Sequence, residues 1–282
     1  MRVSVIQMSP GSDKARNIEQ AEHLIDACVV ADAPDLVVLP EIWTCLGGSR
    51  DTKFSAAEVI ARSGSEAADG SAVAFLKRIA RRHGIHVHGG SIGEHSGDRL
   101  LNTSLVLAPD GSILARYSKI HLFDIVTPDG VGYRESDTYR PGETVASVDI
   151  GGRFGTVRLG LAICYDLRFG ELFYRLRRDG AELILLPAAF TTETGNAHWE
   201  TLVRARAIET QCWVAAAATT GTHYDGGGQA RSTYGHSMIV DPWGAMVAQA
   251  SAGQGWATSR IDQAATARVR AGIPVMDHRR LL

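Results

Sequence analysis

The chain of 282 residues is 45% hydrophobic and 21% charged, with a formal net charge of −2, which suits one large α/β domain with a sizeable core. A charge this close to neutral gives no electrostatic basis for binding nucleic acid or an anionic membrane. The longest apolar runs fall well short of a bilayer span.

The opening MRVSVIQMSP has neither an apolar h-region nor a small-residue cleavage site, so it reads as a strand rather than a secretory signal. In chain order the pattern predicts a strand over 3–7, an amphipathic helix near 15–32, a strand over 35–39, a helix over 71–83 and a strand over 85–90. A hairpin follows, 102–108 and 113–117, turning at Pro109-Asp110-Gly111. The second half repeats this order, with a strand over 156–163, a helix over 169–179, a strand over 182–187, a helix over 197–211 and a strand over 212–218. It closes with a hairpin, 236–240 and 245–250, turning at Asp241-Pro242-Trp243-Gly244. Segments 43–68, 120–142 and 219–234 are expected to be loops, the last one mobile around its three consecutive glycines.

The repetition extends to residues. APDLVVLPE (33–41) parallels GAELILLPA (180–188), and SLVLAPDGSILARYS (104–118) parallels SMIVDPWGAMVAQAS (237–251). Two similar halves, each a sheet covered by helices, would bury their bare sheet faces against each other. The expected fold is a four-layer α-β-β-α sandwich with an internal pseudo-repeat. A doubly wound sheet is the second choice, disfavoured by the two hairpins, which need antiparallel pairs.

Four cysteines, Cys28, Cys45, Cys164 and Cys212, are widely spaced with no CxxC. Neither a disulfide framework nor a zinc pattern is expected, and a reducing cytoplasm fits. Cys164 attracts interest because it ends the strand LGLAI just as charged residues begin. Glu41 ends the strand LVVLP, Lys119 follows a hairpin, and Glu135 lies in the 120–142 loop. If strand ends from both halves meet at one rim, a thiol, a carboxylate and an ammonium converge. A carboxylate could take the thiol proton during attack. Lysine and the backbone N–H of Tyr165 could face the developing oxyanion. Such a trio hydrolyses an amide through a thioester and calls for no metal or cofactor. Each residue alone has a plainer reading, as core thiol, strand-end acid, surface ammonium or loop acid.

Other motifs compete. Gly89-Gly90-Ser91-Ile92-Gly93 fits a serine nucleophile elbow, but a turn and hairpin follow instead of the required helix. His86 and His88 share a strand face without a third ligand at recognisable spacing. A Cys164–His dyad through His198 or His236 stays open.

At CYDLRF, preceded by LPE and KIHLFD, the chain resembles the nitrilase superfamily of carbon–nitrogen hydrolases over nearly its whole length. The resemblance implies the α-β-β-α sandwich and a Glu-Lys-Cys triad with a second glutamate. Carried over, these fall on Glu41, Lys119, Cys164 and Glu135. The chain looks nearest to the branch of deaminated glutathione amidases and omega-amidases, with other amidases and N-carbamoyl hydrolases as alternatives. That branch implies substrate-carboxylate contacts from Arg168 and Thr194. Gly170 stands where proline is common, and IWTCLGGSRDTK after Glu41 ties to neither named group. The resemblance also implies a hydrolase domain over 1–271 and a tail, 272–282, at the interface of a homodimer or higher assembly. Transfer of the acyl group to an amine instead of water, and a catalytically silent binding protein on the same fold, stay open as alternatives.

Overall fold

The computed structural model describes residues 1–60, 69–127, 130 and 132–281. Residues 61–68 of the expected 43–68 loop, and 128, 129 and 131 of the 120–142 loop, lie outside the described residues.

The chain opens with β1 (Arg2–Gln7) and α1 (Lys14–Asp32), which starts where the Asp13 carboxylate accepts from the N–H groups of Ala15 and Arg16. Next come β2 (Leu36–Val38), α2 (Arg50–Ala56), α3 (Ser71–His83) and β3 (His86–His88). Antiparallel strands β4 (Ile92–Ser96), β5 (Arg99–Leu107) and β6 (Ile113–Ser118) follow, then a small hairpin of β7 (Asp124–Val126) and β8 (Gly132–Arg134). The second half contains β9 (Ser147–Gly152), β10 (Gly155–Leu161), α4 (Gly170–Arg178), β11 (Leu183–Ala188), α5 (Thr192–Thr210) and β12 (Trp213–Ala218). It ends with the hairpin β13 (Thr220–Tyr224) and β14 (Ala230–Tyr234), then β15 (Met238–Val240), β16 (Met246–Gln249), β17 (Gly255–Arg260), α6 (Gln263–Gly272) and α7 (Val275–His278).

The strands form two principal sheets, ordered β17-β1-β2-β3-β5-β4 with β6 beside β5, and β16-β15-β12-β11-β10-β9. In each, three parallel strands run into an antiparallel pair: β1-β2-β3 then β5-β6, and β10-β11-β12 then β15-β16. This is the pseudo-repeat, and two separate sheets exclude the doubly wound alternative. Period-2 alternation splits each strand between layers. Val3, Val5, Leu36 and Val38 join Leu159, Leu161, Leu183 and Leu185 in one core. Ile6, Val37, Leu39 and Val87 pack under Ile25, Leu76 and Ile79 of α1 and α3.

Several expectations change. Segment 120–142, expected to be a loop, holds the β7–β8 hairpin, and strands β4 and β9 add to the two sheets without having been foreseen. Segment 43–68 contains α2, started by Ser49, whose hydroxyl accepts from Thr52 N–H. Helix α5 begins at Thr192 rather than 197, because the Thr191 hydroxyl caps it at Thr194 N–H. Segment 219–234 is largely the β13–β14 hairpin, with the glycines in its turn. An unforeseen strand, β17, returns from the C-terminal end to pair with β1 in the first sheet. Beyond α6 the tail packs on its own chain, where the Arg279 guanidinium lies 3.4 Å over the Tyr174 ring. None of the described helices is long and apolar enough to cross a membrane.

All four cysteines are buried and unbonded. Burial pushes each thiol above its usual range, Cys28 to about 11. Unfolded thiols lose their protons above about pH 8.5, while the folded ones keep them. The folded state then binds more protons, so stability falls as pH rises through that point. The midpoint of urea unfolding, measured under reductant, should decline between pH 8 and 10. A flat midpoint would contradict the burial of the thiols.

Candidate active site

Two backbone elbows build the site. After β2 the chain runs through Leu39-Pro40-Glu41 and turns at Ile42, φ +45°. After β10 it turns at Cys164, φ +47°, which lies beyond the strand at the start of a 3₁₀ turn, Cys164–Arg168. Left-handed backbone at non-glycine residues costs roughly 1–3 kcal/mol each and tends to gather at functional sites; for β-branched Ile42 it is a marked outlier.

Both elbows are braced. The fully buried Asp166 carboxylate accepts hydrogen bonds from Ile163 N–H at 2.9 Å, the Tyr117 hydroxyl at 2.6 Å and His121 N–H at 3.1 Å, and meets His121 Nδ1 at 2.7 Å. These bonds tie the Cys164 turn to the segment carrying Lys119. The His121 ring stacks on Phe169 at 3.7 Å. On the other side, Ile42 N–H donates to Ser91 Oγ at 3.0 Å, and Trp43 Nε1 donates to Gly89 O at 2.8 Å. Ser91 is fully buried in this role, so Gly89–Gly93 is a brace for Glu41 and not a nucleophile elbow. Gly90 has φ +58°, and a Cβ there would lie 2.0 Å from Pro40 O. Gly90→Ala should therefore cost roughly 2–4 kcal/mol and impair activity by shifting Glu41. An unchanged melting temperature would sink that prediction.

The elbows converge on Lys119. Its Nζ lies 2.9 Å from Glu41 Oε1 and 2.8 Å from Glu135 Oε2. Lys119 is 2% exposed. Burial opposes its charge, but the Glu135 and Glu41 carboxylates outweigh that and hold it well above the ordinary lysine range. The Cys164 thiol is driven up by burial, then by the Glu41 charge and a hydrogen bond to Glu41. At rest the group is thus a neutral thiol beside an ammonium that two carboxylates share. Asn102, which the sequence did not single out, donates through Nδ2 to Glu41 Oε1 at 2.9 Å and to Glu135 Oε1 at 3.3 Å. Its only signal is that it opens a polar Asn-Thr-Ser stretch between the apolar ends of β5. Phe123 N–H adds a 2.7 Å bond to Glu135 Oε2.

Glu41, Lys119, Glu135 and Cys164 line one cavity of about 600 Å³, together with Tyr165 and Thr194. Thr194 is partly committed elsewhere, its hydroxyl 2.8 Å from that of Thr191 at the start of α5. Arg168 does not line the cavity. Its guanidinium reaches His198 Nδ1 at 3.3–3.4 Å and lies near the Phe190 ring. His198 and His236 also lie off the cavity lining, and His236 Nδ1 bonds Tyr234 O at 2.8 Å. His86 and His88 sit buried in β3, and burial lowers His88 to about 3.

Two stacked sheets between helices, with a thiol, an ammonium and two carboxylates gathered where strands of both halves end, define a nitrilase-like α-β-β-α hydrolase. The chain belongs to the carbon–nitrogen hydrolase family, whose model matches residues 2–271. It is a hydrolase acting on amides, an amidase of the nitrilase superfamily. It is 39% identical over 280 residues to a deaminated glutathione amidase from a Synechocystis strain, covering 98% of this chain and 97% of that one. The deaminated glutathione amidase of Yersinia enterocolitica is 38% identical, with 99% and 93% covered. Among solved structures, Saccharomyces cerevisiae Nit3 superposes with a TM-score of 0.85 at 31% identity, covering 100% of this chain and 97% of that one. The Caenorhabditis elegans NitFhit protein gives 0.85 at 38% identity, and there this chain covers 99% of its own length but 65% of the larger protein.

Proposed function

We propose that Cys164 is the nucleophile of a linear-amide hydrolase whose best substrate is deaminated glutathione. One observation carries the reading: Cys164 shares the cavity wall with Glu41 and Lys119, and the Lys119 ammonium donates to Glu41 Oε1 at 2.9 Å. In the scheme, sulfur attacks the amide carbonyl as Glu41 takes the thiol proton. Lys119 stays charged and, with Tyr165 N–H, faces the oxyanion. The carbon–nitrogen bond breaks as Glu41 returns the proton to the departing amine, leaving a thioester. Water, deprotonated by Glu41, then attacks the thioester and restores the thiol. Glu135 and Asn102 act as positioning residues that hold Lys119 and Glu41 in place. No metal or cofactor is needed.

Deaminated glutathione is favoured over α-ketoglutaramate because relatives bearing that name match nearly end to end. The same reading takes 1–271 as the catalytic domain and 272–282 as a tail at a homo-oligomer interface, in a cytoplasmic enzyme. The test is a product screen. Deaminated glutathione, α-ketoglutaramate, succinamate, neutral aliphatic amides and nitriles are incubated with the protein, and released amine and acid are measured with and without an added amine acceptor. Turnover is expected for carboxylated amides, with water as the acceptor. No turnover of any amide would reject the reading.

A further inference from the structure

Although the whole chain is net negative, the cavity wall is not. Its lining carries five cationic side chains, Arg50, Lys53, Lys119, Arg134 and Arg231, against the carboxylates of Glu41, Glu135 and Asp225. Lys119 is spent between Glu41 and Glu135. Arg50 is engaged too, donating to Asp98 O at 2.9 Å and lying 4.4 Å over the Phe54 ring. That leaves three cations facing one acid. Asp225 is largely satisfied by its own turn, its Oδ1 accepting from Gly227 N–H at 2.9 Å and Gln229 N–H at 3.0 Å. Arg231 meets it only loosely, Nε to Oδ2 at 3.6 Å, and that buried Nε has no hydrogen-bond partner. Among the described residues, neither Lys53 nor Arg134 makes an ion pair, although Arg134 sits opposite Asp124 in the β7–β8 register.

These three side chains come from α2, β8 and β14, which the fold presses together. Gly48 N–H donates to Tyr224 O at 2.8 Å, joining the start of α2 to the β13–β14 hairpin. The Arg231 guanidinium lies 4.3 Å over the Tyr133 ring, joining that hairpin to β8. Like charges that outnumber their counter-charges repel, and an anionic ligand relieves the repulsion. The reacting groups are buried while Arg134 is exposed and Lys53 and Arg231 half-buried, so the cations are the more solvent-accessible part of the wall.

We propose that Lys53, Arg134 and Arg231 form the specificity rim of the cavity, binding a carboxylate on the substrate remote from the scissile amide, a part that Arg168 is not placed to play. The inference rests on the amidase reading above. It assigns the substrate class as amides carrying at least two carboxylates, one of them at the far end of the chain. Guanidinium and ammonium groups grip carboxylates through charge-assisted hydrogen bonds.

The test compares deaminated glutathione with the same molecule bearing a carboxamide in place of its glycine carboxylate. The scissile amide is identical and one charge is gone. For the native protein, kcat/KM should favour the acid by about tenfold or more, with the preference shrinking as salt is raised. Lys53→Gln and Arg231→Gln should each pull that ratio toward one, chiefly through KM, and Arg231→Lys should largely keep it. Arg16→Gln, on the exposed face of α1, should change neither rate. A native protein that turns over acid and carboxamide alike, or a ratio that survives both charge removals, overturns the rim and leaves the amidase reading intact. If no amide is turned over, that reading falls instead, and binding decides the rim. Calorimetry of pimelate against heptanoate should show tighter binding of the dianion, lost in Lys53→Gln; equal binding of the two overturns the rim.

Discussion

Cys164→Ala is expected to lower amide turnover by about four orders of magnitude or more while leaving the fold cooperative. The sulfur is the only protein atom of the proposed scheme that bonds to substrate carbon, and the other thiol on the cavity wall, Cys45, has no part in the Lys119–Glu41–Glu135 cluster. The residue is small and opens on the cavity, so the vacated space is continuous with room already present, and the stability change should stay within about 1 kcal/mol. Cys212→Ala supplies the contrast. Cys212 is fully buried, its thiol 3.0 Å from Ala181 O, and it lies off the cavity lining. That substitution should cost stability without removing activity. Product formation and urea midpoints on the same preparations check both. Residual activity in Cys164→Ala above a hundredth of the native rate would remove the thiol from its role. The neutral thiol adds a second signature. Burial and the Glu41 carboxylate hold its proton on, so the native rate should not climb through pH 8–9 as an ordinary thiol ionises.

How much of this was legible beforehand depended on how local the determining physics is. Alternating strands and turn tripeptides depend on neighbours, so the hairpin at Pro109-Asp110-Gly111 and helix 71–83 could be read directly. The paralogous segments LVVLPE and LILLPA made the two halves, and hence the two sheets, legible. Glu41, Lys119, Cys164 and Glu135 stood out because acids, lysine and thiol sat at strand ends or in a long loop, and the resemblance named the same four. The parts that could not be read depend on distant contacts. Strand β17 pairs with β1 across nearly the whole chain, and no local pattern encodes that. Ser91 matches a nucleophile motif, but the backbone of Ile42 claims its hydroxyl. Asn102 looks like a polar interruption until two carboxylates arrive from other elements. The direction of Arg168 is set by a 3₁₀ turn whose first residue adopts an unusual φ, which sequence spacing alone does not reveal.

Lys119→Met should be the most destabilising single change in the site, costing about 3–5 kcal/mol at neutral pH and abolishing turnover. The side chains of Lys119 and Glu41 are 2% and 5% exposed, that of Glu135 14%. Methionine fills similar space but leaves two neighbouring carboxylates without their shared counter-charge. Asn102 and Phe123 N–H still donate to them, but neutral dipoles do not cancel two charges, so one carboxyl must take up a proton on folding. The pH dependence follows with a definite sign. In the native protein the raised Lys119 keeps its proton, and its contribution is fully present below the unfolded lysine value and lost only as pH rises through the folded one. In the variant a folded carboxyl holds a proton that the unfolded chain releases above about pH 4.3, so the variant loses stability as pH rises. The gap between native and variant should therefore be wide at pH 7.5 and narrow toward pH 5. Adding Glu135→Gln removes one of the two charges and should recover part of the loss without recovering activity, because the ammonium proposed to face the oxyanion is still missing. Urea midpoints at both pH values decide it: a gap that stays below about 1 kcal/mol at pH 7.5, or widens on acidification, would mean that the ammonium is not what holds these carboxylates in the interior.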